Sequence, residues 1–395
     1  MRKTLFHGIR ALLVIAALGL GLQAHADVKI GFIGTFSGPA AALGQDQYDG
    51  FTLALEQLDG KLGGTTVKLF KEDDQLKPDI GVQAVRKLIE RDDVDLITGV
   101  TFSNVMMTIA KPLADADMLF VGSNAGPSLL AGEQCNQNFF FTSWQNDNLA
   151  EVMGQYATDQ GFKSVYLMAP NYQSGKDQLT GFKRYYKGTI SDEVYTQLNQ
   201  LDYSAEISML RAEQPDAIYV FYPGGMGINF VKQLHQSGML GNVPLLSSSI
   251  DGTSLPALQD SALGVLASSA WGPDLDHPAN QTFVAAFEEK YGRIPSLYAA
   301  QAYDAARLID SALRKTNGDV SDKKALRNAI RAADFDSVRG KFAFNINGFP
   351  IQDMRVFEVV KDAKDRVSLQ TIATPLKDLH DSYSSQCKAV EQDRA

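Results

Sequence analysis

Residues 95–128 read DLITGVTFSNVMMTIAKPLADADMLFVGSNAGPS and contain two predicted β-strands, each followed by a turn of small polar residues. The first turn, 99–104, leads into an apolar-periodic helix over 105–113, so free N–H groups at the helix start can face a ligand anion beside the Ser103 hydroxyl. If the two strands are parallel neighbours, the second turn, 122–126, lies at the same edge, where open α/β sheets bind ligands. We therefore predict a carboxylate-binding site here. The alternative is that both turns are ordinary connecting loops.

The rest of the chain alternates predicted strands and helices. The alternation starts at 28–33, VKIGFI, an apolar run typical of a parallel strand that is covered on both faces. It restarts at 164–169 and continues to residue 270, after which two long helices, 281–291 and 297–315, follow with no strand between them. This order predicts an α/β fold of two doubly wound lobes, with the late helices returning to the first lobe.

The first 26 residues of the 395-residue chain have the features of a secretory signal peptide. Basic residues precede an apolar run of 12 residues, 11–22, and the sequence Ala-His-Ala at 24–26 matches a small-x-small cleavage site. The run is shorter than the roughly 20 residues that a bilayer-spanning helix needs. We expect cleavage before Asp27 and export of the mature protein.

The charge balance argues against two classes of partner. The formal net charge is −9, and loss of the three basic residues of the signal makes it −12. A strongly acidic protein is repelled by nucleic acid and by anionic membrane surfaces. We expect a soluble, freely diffusing protein, and we expect it to be a monomer.

The chain contains two cysteines, Cys135 and Cys387. In an exported protein they are expected to form one disulfide, which would tie the C-terminal tail to the body. The alternative is two unpaired thiols. A metal site is not expected, because the cysteines are far apart and the mature chain has only His235, His277 and His380.

Motifs of catalysis and cofactor binding are absent from the sequence. It has no G-x-S-x-G nucleophile elbow, no H-E-x-x-H, no Walker A motif and no G-x-G-x-x-G after the first strand. We therefore expect a protein that is not an enzyme and holds no cofactor. Two alternatives remain: a secreted hydrolase with a noncanonical nucleophile such as Ser103, and a ligand sensor for a membrane signalling partner.

Several residues in loops after predicted strands are candidates for the wall of a ligand pocket. The aromatic candidates are Phe102, Tyr172, Tyr222 and Trp271, since an aromatic side chain offers an apolar surface to an organic ligand. The alternative for each is core packing. Asp251 follows an apolar strand, so it is either a carboxylate that faces the ligand or a residue that caps its own loop.

Taken in order, these segments resemble the leucine/isoleucine/valine-binding family of periplasmic solute receptors, which serve ABC importers. The resemblance extends over essentially all of the mature sequence. The segments that carry it are VKIGFIGTFSGP with Gly44 and Gly50, KLFKEDDQLKP, LITGVTFSNV, LFVGSNAGP, MAPNYQSGKD, FYPGGMG and GKFAFNINGFP. It implies the type I periplasmic binding fold, in which two doubly wound lobes joined by three hinge crossovers close on a small organic ligand. It also implies a periplasmic location and an inner-membrane ABC permease as partner.

The resemblance also implies lobe boundaries and roles for single residues. The implied boundaries are 27–144 with 273–345 for the first lobe, 145–272 with 346–375 for the second, and 376–395 for a C-terminal tail. The implied site residues are Ser103, Asn124, Ala125 and Gly126 for the ligand carboxylate, Asp251 for an ammonium group, and Tyr222 for the second-lobe wall. Where the family usually has another tyrosine this chain has Ser174, and Tyr172 lies two residues earlier. We therefore predict Tyr172 and Tyr222 for the second-lobe wall, Phe102 for apolar packing, and Asp251 for an ammonium or hydroxyl group.

Two departures from the family pattern bear on the ligand. Gly126 stands where amino-acid receptors have a threonine, which removes a side-chain donor, and Asn124 replaces a smaller alanine. The early disulfide of the branched-chain receptors is also absent. These changes resemble the branch of the family that binds aromatic or other organic acids, so we expect a small carboxylate ligand of that kind or an amino acid.

Overall fold

The computed structural model of the chain describes residues 27–388 and contains two β-sheets. The predicted signal peptide, 1–26, and the end of the predicted tail, 389–395, lie outside the described residues. Within the described part, no helix is both long and apolar enough to span a membrane.

The first sheet has six strands in the order β2-β3-β1-β4-β5-β6. Its strands are β1 Val28–Gly34, β2 Lys61–Leu62, β3 Thr65–Asp73, β4 Leu96–Gly99, β5 Leu119–Gly122 and β6 Phe139–Phe141. All neighbours pair in parallel except the short β2, which is antiparallel to β3. The central strands β4 and β5 are buried along their whole length, as expected of a parallel sheet covered by helices on both faces.

The second sheet has eight strands in the order β12-β13-β11-β10-β9-β7-β8, with β14 paired to β13. Its strands are β7 Ser164–Pro170, β8 Thr189–Thr196, β9 Ala217–Val220, β10 Leu245–Ser247, β11 Leu266–Ser269, β12 Ala343–Phe344, β13 Pro350–Lys361 and β14 Val367–Leu379. Strands β7 to β11 pair in parallel, whereas β12, β13 and β14 add an antiparallel edge.

Twelve α-helices cover the sheets in the described part of the chain. They are α1 Ala41–Gln57, α2 Pro78–Arg86, α3 Ser103–Asp115, α4 Ser128–Ala131, α5 Asp147–Asp159, α6 Gln173–Tyr185, α7 Ser204–Glu213, α8 Gly225–Gln236, α9 Leu255–Leu258, α10 Pro278–Tyr291, α11 Leu297–Lys315 and α12 Lys323–Arg331. Helix α11 packs on α1 so closely that a Cβ at Gly50 would lie 2.0 Å from the carbonyl oxygen of Ala299. The late helix α11 therefore returns to the first lobe, as predicted.

The chain passes between the two sheets three times: after β6, after β11 and before β12. This confirms the predicted α/β fold of two doubly wound lobes joined by three crossovers. The exact residues at which the lobes divide stay a prediction, because β12 lies in the predicted first-lobe segment 273–345 but pairs with β13 of the second sheet.

Strand β14 corrects the predicted start of the C-terminal tail. The tail was expected from residue 376, but β14 continues to Leu379 along β13. The strand escaped prediction because its sequence, VSLQTIATPLKDL, has a proline and does not alternate cleanly. Proline is tolerated on an edge strand, where no second neighbour needs its missing N–H group.

The disulfide between Cys135 and Cys387 is present, as predicted, with the two Cα atoms 5.5 Å apart. It fixes the end of the chain to the segment between α4 and β6 of the first lobe. A few residues earlier, the Tyr383 hydroxyl donates to Asp147 Oδ2 at the start of α5, at 2.8 Å. The tail therefore contacts elements of both lobes beside the first crossover.

Candidate ligand-binding site

The predicted first turn lies at the carboxyl end of β4 and is held against the second turn. Val100 has φ +65°, which is unusual for a β-branched residue, and its carbonyl accepts a hydrogen bond of 3.1 Å from the N–H of Ala125. Strands β4 and β5 pair so that Gly99 and Gly122 are partners. The two turns are therefore neighbours, as the sequence predicted.

Helix α3 begins at Ser103, which is 2% exposed and lines a cavity between the lobes. The N–H groups in the first turn of a helix have no acceptor within the helix. In residues 27–388, no backbone acceptor is recorded for the N–H groups of Ser103, Asn104 or Val105. The start of α3 therefore offers several hydrogen-bond donors and the positive end of a helix dipole.

The second turn offers fewer donors than predicted. The N–H of Ala125 is bonded to Val100, and the N–H of Gly126 donates to Asn146 Oδ1 at 3.2 Å. Asn124 does line the cavity, and its Nδ2 donates to the Thr101 carbonyl at 2.6 Å. In this structure the N–H groups of Ala125 and Gly126 are both already hydrogen bonded within the protein, so their role as carboxylate donors stays a prediction.

The cavity is small in this structure, about 20 Å³, and both lobes contribute to its wall. Its aromatic lining residues are Phe102, Trp144, Tyr172, Phe221 and Tyr298. Its polar lining residues are Thr101, Ser103, Asn124, Asn146, Ser174, Gln178 and Ser248. None of the described residues that line this cavity carries a charged side chain. The cavity is therefore apolar on its aromatic side and neutral on its polar side.

A larger cavity of about 370 Å³ lies elsewhere between the lobes, near 252–259 and 292–297. Two cationic side chains line it, but both already have carboxylate partners: Arg293 pairs with Asp46 and Asp49, and Arg366 with Asp362. Size alone does not identify a ligand site. The smaller cavity is the better candidate because its wall contains the start of α3 and an uncommitted hydroxyl donor.

The profile of the family described as periplasmic binding protein matches residues 27–364. This chain belongs to that family. The Leu/Ile/Val-binding protein homolog 6 of Brucella melitensis is 26% identical over 365 residues, covering 89% of this chain and 93% of the relative. A solute-binding protein of an ABC transporter from R. palustris, solved in complex with benzoate, is similar at 26% identity with a TM-score of 0.87, covering 92% and 100% of the two chains. Another from R. palustris, in complex with 4-hydroxybenzoate, is 25% identical with a TM-score of 0.80, covering 89% and 98%.

The aromatic wall of this periplasmic binding protein comes from both lobes. The ring of Phe102 lies 6.2 Å from that of Tyr172, and Tyr172 stacks on Phe221 with centroids 6.3 Å apart. Trp144 and Tyr298 form an edge-to-face pair at 6.5 Å. The structure thus places Phe102 and Tyr172, both predicted from the sequence, beside the cavity.

Tyr222 and Trp271 do not line this cavity, contrary to expectation. Tyr222 is fully buried in the second lobe, with its ring 4.8 Å from that of Tyr203. Trp271 is also buried, and its indole N–H donates to Asn280 Oδ1 at 2.6 Å. For Tyr222 the core-packing alternative describes the structure, whereas Trp271 lines the larger cavity between the lobes. Phe221, the neighbour of Tyr222, contributes the second-lobe wall of the smaller cavity.

Asp251 caps its own loop, which was the second of the two interpretations offered by the sequence. Its Oδ1 accepts a hydrogen bond of 2.7 Å from the N–H of Thr253, and the side chain does not line the cavity. Burial, with a smaller contribution from the nearby Asp46 carboxylate, raises the pKa of the Asp251 carboxyl to about 7 despite the hydrogen bonds from Thr253. Asp251 therefore does not line the cavity in which it was predicted to meet an ammonium group.

Five polar lining residues of this binding protein were not anticipated as site residues: Thr101, Asn146, Ser174, Gln178 and Ser248. Gln178 Oε1 accepts hydrogen bonds from the Tyr219 hydroxyl at 2.6 Å and from the Ser248 hydroxyl at 2.7 Å. Asn146 bonds to Ser103. Asn146 lies in the first crossover, directly before α5, and this position brings it to the site.

Proposed function

We propose that this protein is the periplasmic receptor of an ABC importer and that it binds a small aromatic monocarboxylate between its lobes. One observation carries the proposal. One side of the cleft offers hydrogen-bond donors that can bind a ligand carboxylate, and the other side is a wall of aromatic rings. None of the described residues that line the cleft is charged. A ligand with one negative end and an apolar ring satisfies each part of this wall.

The carboxylate is assigned to the start of α3. Ser103 supplies a hydroxyl, and the first-turn N–H groups supply backbone donors at the positive end of the helix dipole. Hydrogen bonds from several oriented donors stabilise a buried anion without a cationic side chain. The ring of the ligand is assigned to the space beside Phe102, Tyr172 and Phe221, where offset or edge-to-face aromatic contacts add to the burial of apolar surface.

The absence of an acidic lining residue argues against an α-amino acid. An ammonium group that is removed from water without an anionic partner costs several kcal/mol. Asp251, the acid that the family pattern suggested for this task, lies outside the lining and accepts from Thr253. The R. palustris proteins solved with benzoate and 4-hydroxybenzoate support the same ligand class.

Closure of the lobes around the ligand distinguishes the loaded receptor from the empty one for the permease. Asp177 of α6 accepts hydrogen bonds from the hydroxyl and the N–H of Ser128 in the first lobe, at 2.7 and 3.1 Å. A ligand that contacts both lobes favours this closed arrangement over an open one, because only the closed state offers all of the contacts. The closed form would then deliver its ligand unchanged to an inner-membrane permease, after export through the predicted signal peptide.

Calorimetry on the purified mature protein tests the proposal. The titrants are benzoate, 4-hydroxybenzoate and L-leucine, and mass spectrometry of the recovered titrants checks that they are unchanged. We expect benzoate, 4-hydroxybenzoate or both to bind, and L-leucine to bind weakly or not at all. Tight binding of L-leucine alone would overturn the aromatic assignment, and turnover of any titrant would favour a secreted hydrolase.

A further inference from the structure

Asn146 occupies the first crossover, directly before α5, and all of its polar atoms are hydrogen bonded. Its Nδ2 donates to Ser103 Oγ at 3.0 Å and to Asp177 Oδ2 at 2.9 Å. Its Oδ1 accepts from the N–H of Gly126 at 3.2 Å, and its backbone carbonyl accepts from Gln178 Nε2 at 2.7 Å. One side chain in a hinge segment is thus bonded to groups of both lobes.

These partners fix which way round the side-chain amide lies. A backbone N–H can only donate, so the atom facing Gly126 must be the oxygen. The nitrogen then faces Ser103 and Asp177. Since Ser103 Oγ accepts a hydrogen bond from Asn146, the hydroxyl hydrogen of Ser103 is not needed for that contact. It is free to donate into the cavity.

The second hydrogen bond of Asn146 Nδ2 goes to Asp177, which makes the contact between the two lobes. Asp177 Oδ2 accepts from both Asn146 and the N–H of Ser128, while Asp177 Oδ1 accepts from the Ser128 hydroxyl. Asn146 Nδ2, which sets the direction of the Ser103 hydroxyl, therefore also holds Asp177, the residue that accepts hydrogen bonds from the first lobe. A shift of Asn146 would disturb both contacts.

We propose that Asn146 is a positioning residue: it aims the Ser103 hydroxyl at the ligand carboxylate and couples that contact to the Asp177–Ser128 bonds between the lobes. The inference rests on the proposed carboxylate site and names the residue that orients its hydroxyl donor. An acid in place of Asn146 would be a hydrogen-bond acceptor, so the Ser103 hydroxyl would turn towards it and away from the ligand. The new carboxyl would also face Asp177 Oδ2, where two carboxylates cannot both stay charged, so the pair would share a proton and the Asp177–Ser128 bonds would be disturbed.

The test measures the dissociation constants of benzoate and L-leucine for the wild type, Asn146→Asp, Ser103→Ala and the double variant. A hydrogen bond to a charged group contributes about 1.5–3 kcal/mol, so we expect Asn146→Asp to weaken binding about 10- to 100-fold. In the Ser103→Ala background the same substitution should weaken binding distinctly less, because the hydroxyl that it misdirects is gone.

Asn148→Asp is the matched control. Asn148 is buried in the same segment and donates to Glu151 Oε2 at 2.9 Å, away from the cavity. This variant should lower thermal stability at least as much as Asn146→Asp while it leaves the dissociation constant within about threefold, because its neighbours do not touch the ligand.

Two results would overturn the inference. One is unchanged affinity of Asn146→Asp for whichever acid the wild type binds. The other is an equal loss with and without the Ser103 hydroxyl, which would show that Asn146 acts by another route. Failure of the proposed function would give a different result, because the wild type would then bind L-leucine and not benzoate. In that case the dissociation constants of L-leucine for the same four proteins test the role of Asn146.

Discussion

The rings of Phe102 and Tyr172 lie 6.2 Å apart, one from each lobe, with their planes inclined by 43°. Phe102 precedes α3, which carries Ser103, and Tyr172 precedes α6, which carries Asp177. Each lobe therefore presents an aromatic ring beside a polar contact at the same cleft. A flat ligand with a carboxylate at one end suits this pairing of ring and donor.

Loss of the Ser103 hydroxyl should weaken binding of an aromatic carboxylate. Ser103→Ala removes a side-chain donor from a buried, oriented site, and the expected loss is about 1 to 3 kcal/mol. Calorimetry with benzoate measures it. Thr108→Ala is the control, because Thr108 is exposed on the same helix and donates to the Asn104 carbonyl. An unchanged dissociation constant for Ser103→Ala would reject the assigned role.

Phe221 and Tyr222 should respond in opposite ways to truncation. Phe221→Ala is expected to weaken benzoate binding, because Phe221 lines the cavity and stacks on Tyr172. Tyr222→Ala should mainly lower thermal stability, since removing a fully buried aromatic ring costs about 3–5 kcal/mol. Thermal denaturation and calorimetry on both variants separate the two effects. A larger loss of affinity in Tyr222→Ala, with its stability intact, would reverse the placement of the two side chains.

Asp251 should make stability depend on pH. Its pKa is raised from 3.8 to about 7 by burial, so the folded protein holds this proton more tightly than the unfolded chain. Stability therefore falls as the pH rises through this interval, and an asparagine avoids the loss. We expect the melting temperature of Asp251→Asn, relative to the wild type, to increase from pH 5 to about pH 7 and to level off above it. A difference that stays constant over this range would contradict a buried, proton-binding Asp251.

The disulfide should contribute to stability through the long segment that it closes. Cys135 and Cys387 are 252 residues apart in sequence. Removal of a disulfide typically costs about 2–4 kcal/mol, so Cys135→Ser/Cys387→Ser should melt several degrees below the wild type. A reducing agent should lower the wild-type melting temperature towards that of the double variant and leave the variant unchanged. Equal melting temperatures without reductant would show that the bond adds nothing.

The sequence was sufficient for the fold and for part of the site. Regular alternation of buried strands with amphipathic helices identified both lobes, and the turn at Ser103 was recognisable because small polar residues follow a buried strand. Side-chain direction at strand ends was harder to predict. Strand β9 ends at Val220, and of the two aromatic residues that follow it, Phe221 and not Tyr222 faces the cavity.

Hydrogen bonds between distant segments were beyond prediction from the sequence. The amide of Ala125 is used by Val100, and the amide of Gly126 by Asn146. A Cβ at position 126 would lie 1.9 Å from the Trp144 carbonyl oxygen, so this glycine is explained by close backbone packing. Such contacts depend on how the crossover meets the second turn, and no local pattern encodes that approach.

The central claim is that the cleft accepts a carboxylate and offers no partner to an ammonium group. Calorimetric titration of the mature protein with phenylacetate and with L-phenylglycine tests it most directly, because these ligands differ by one ammonium group. The account predicts that phenylacetate binds at least about tenfold more tightly, a difference of about 1.4 kcal/mol. Tighter binding of L-phenylglycine would contradict it.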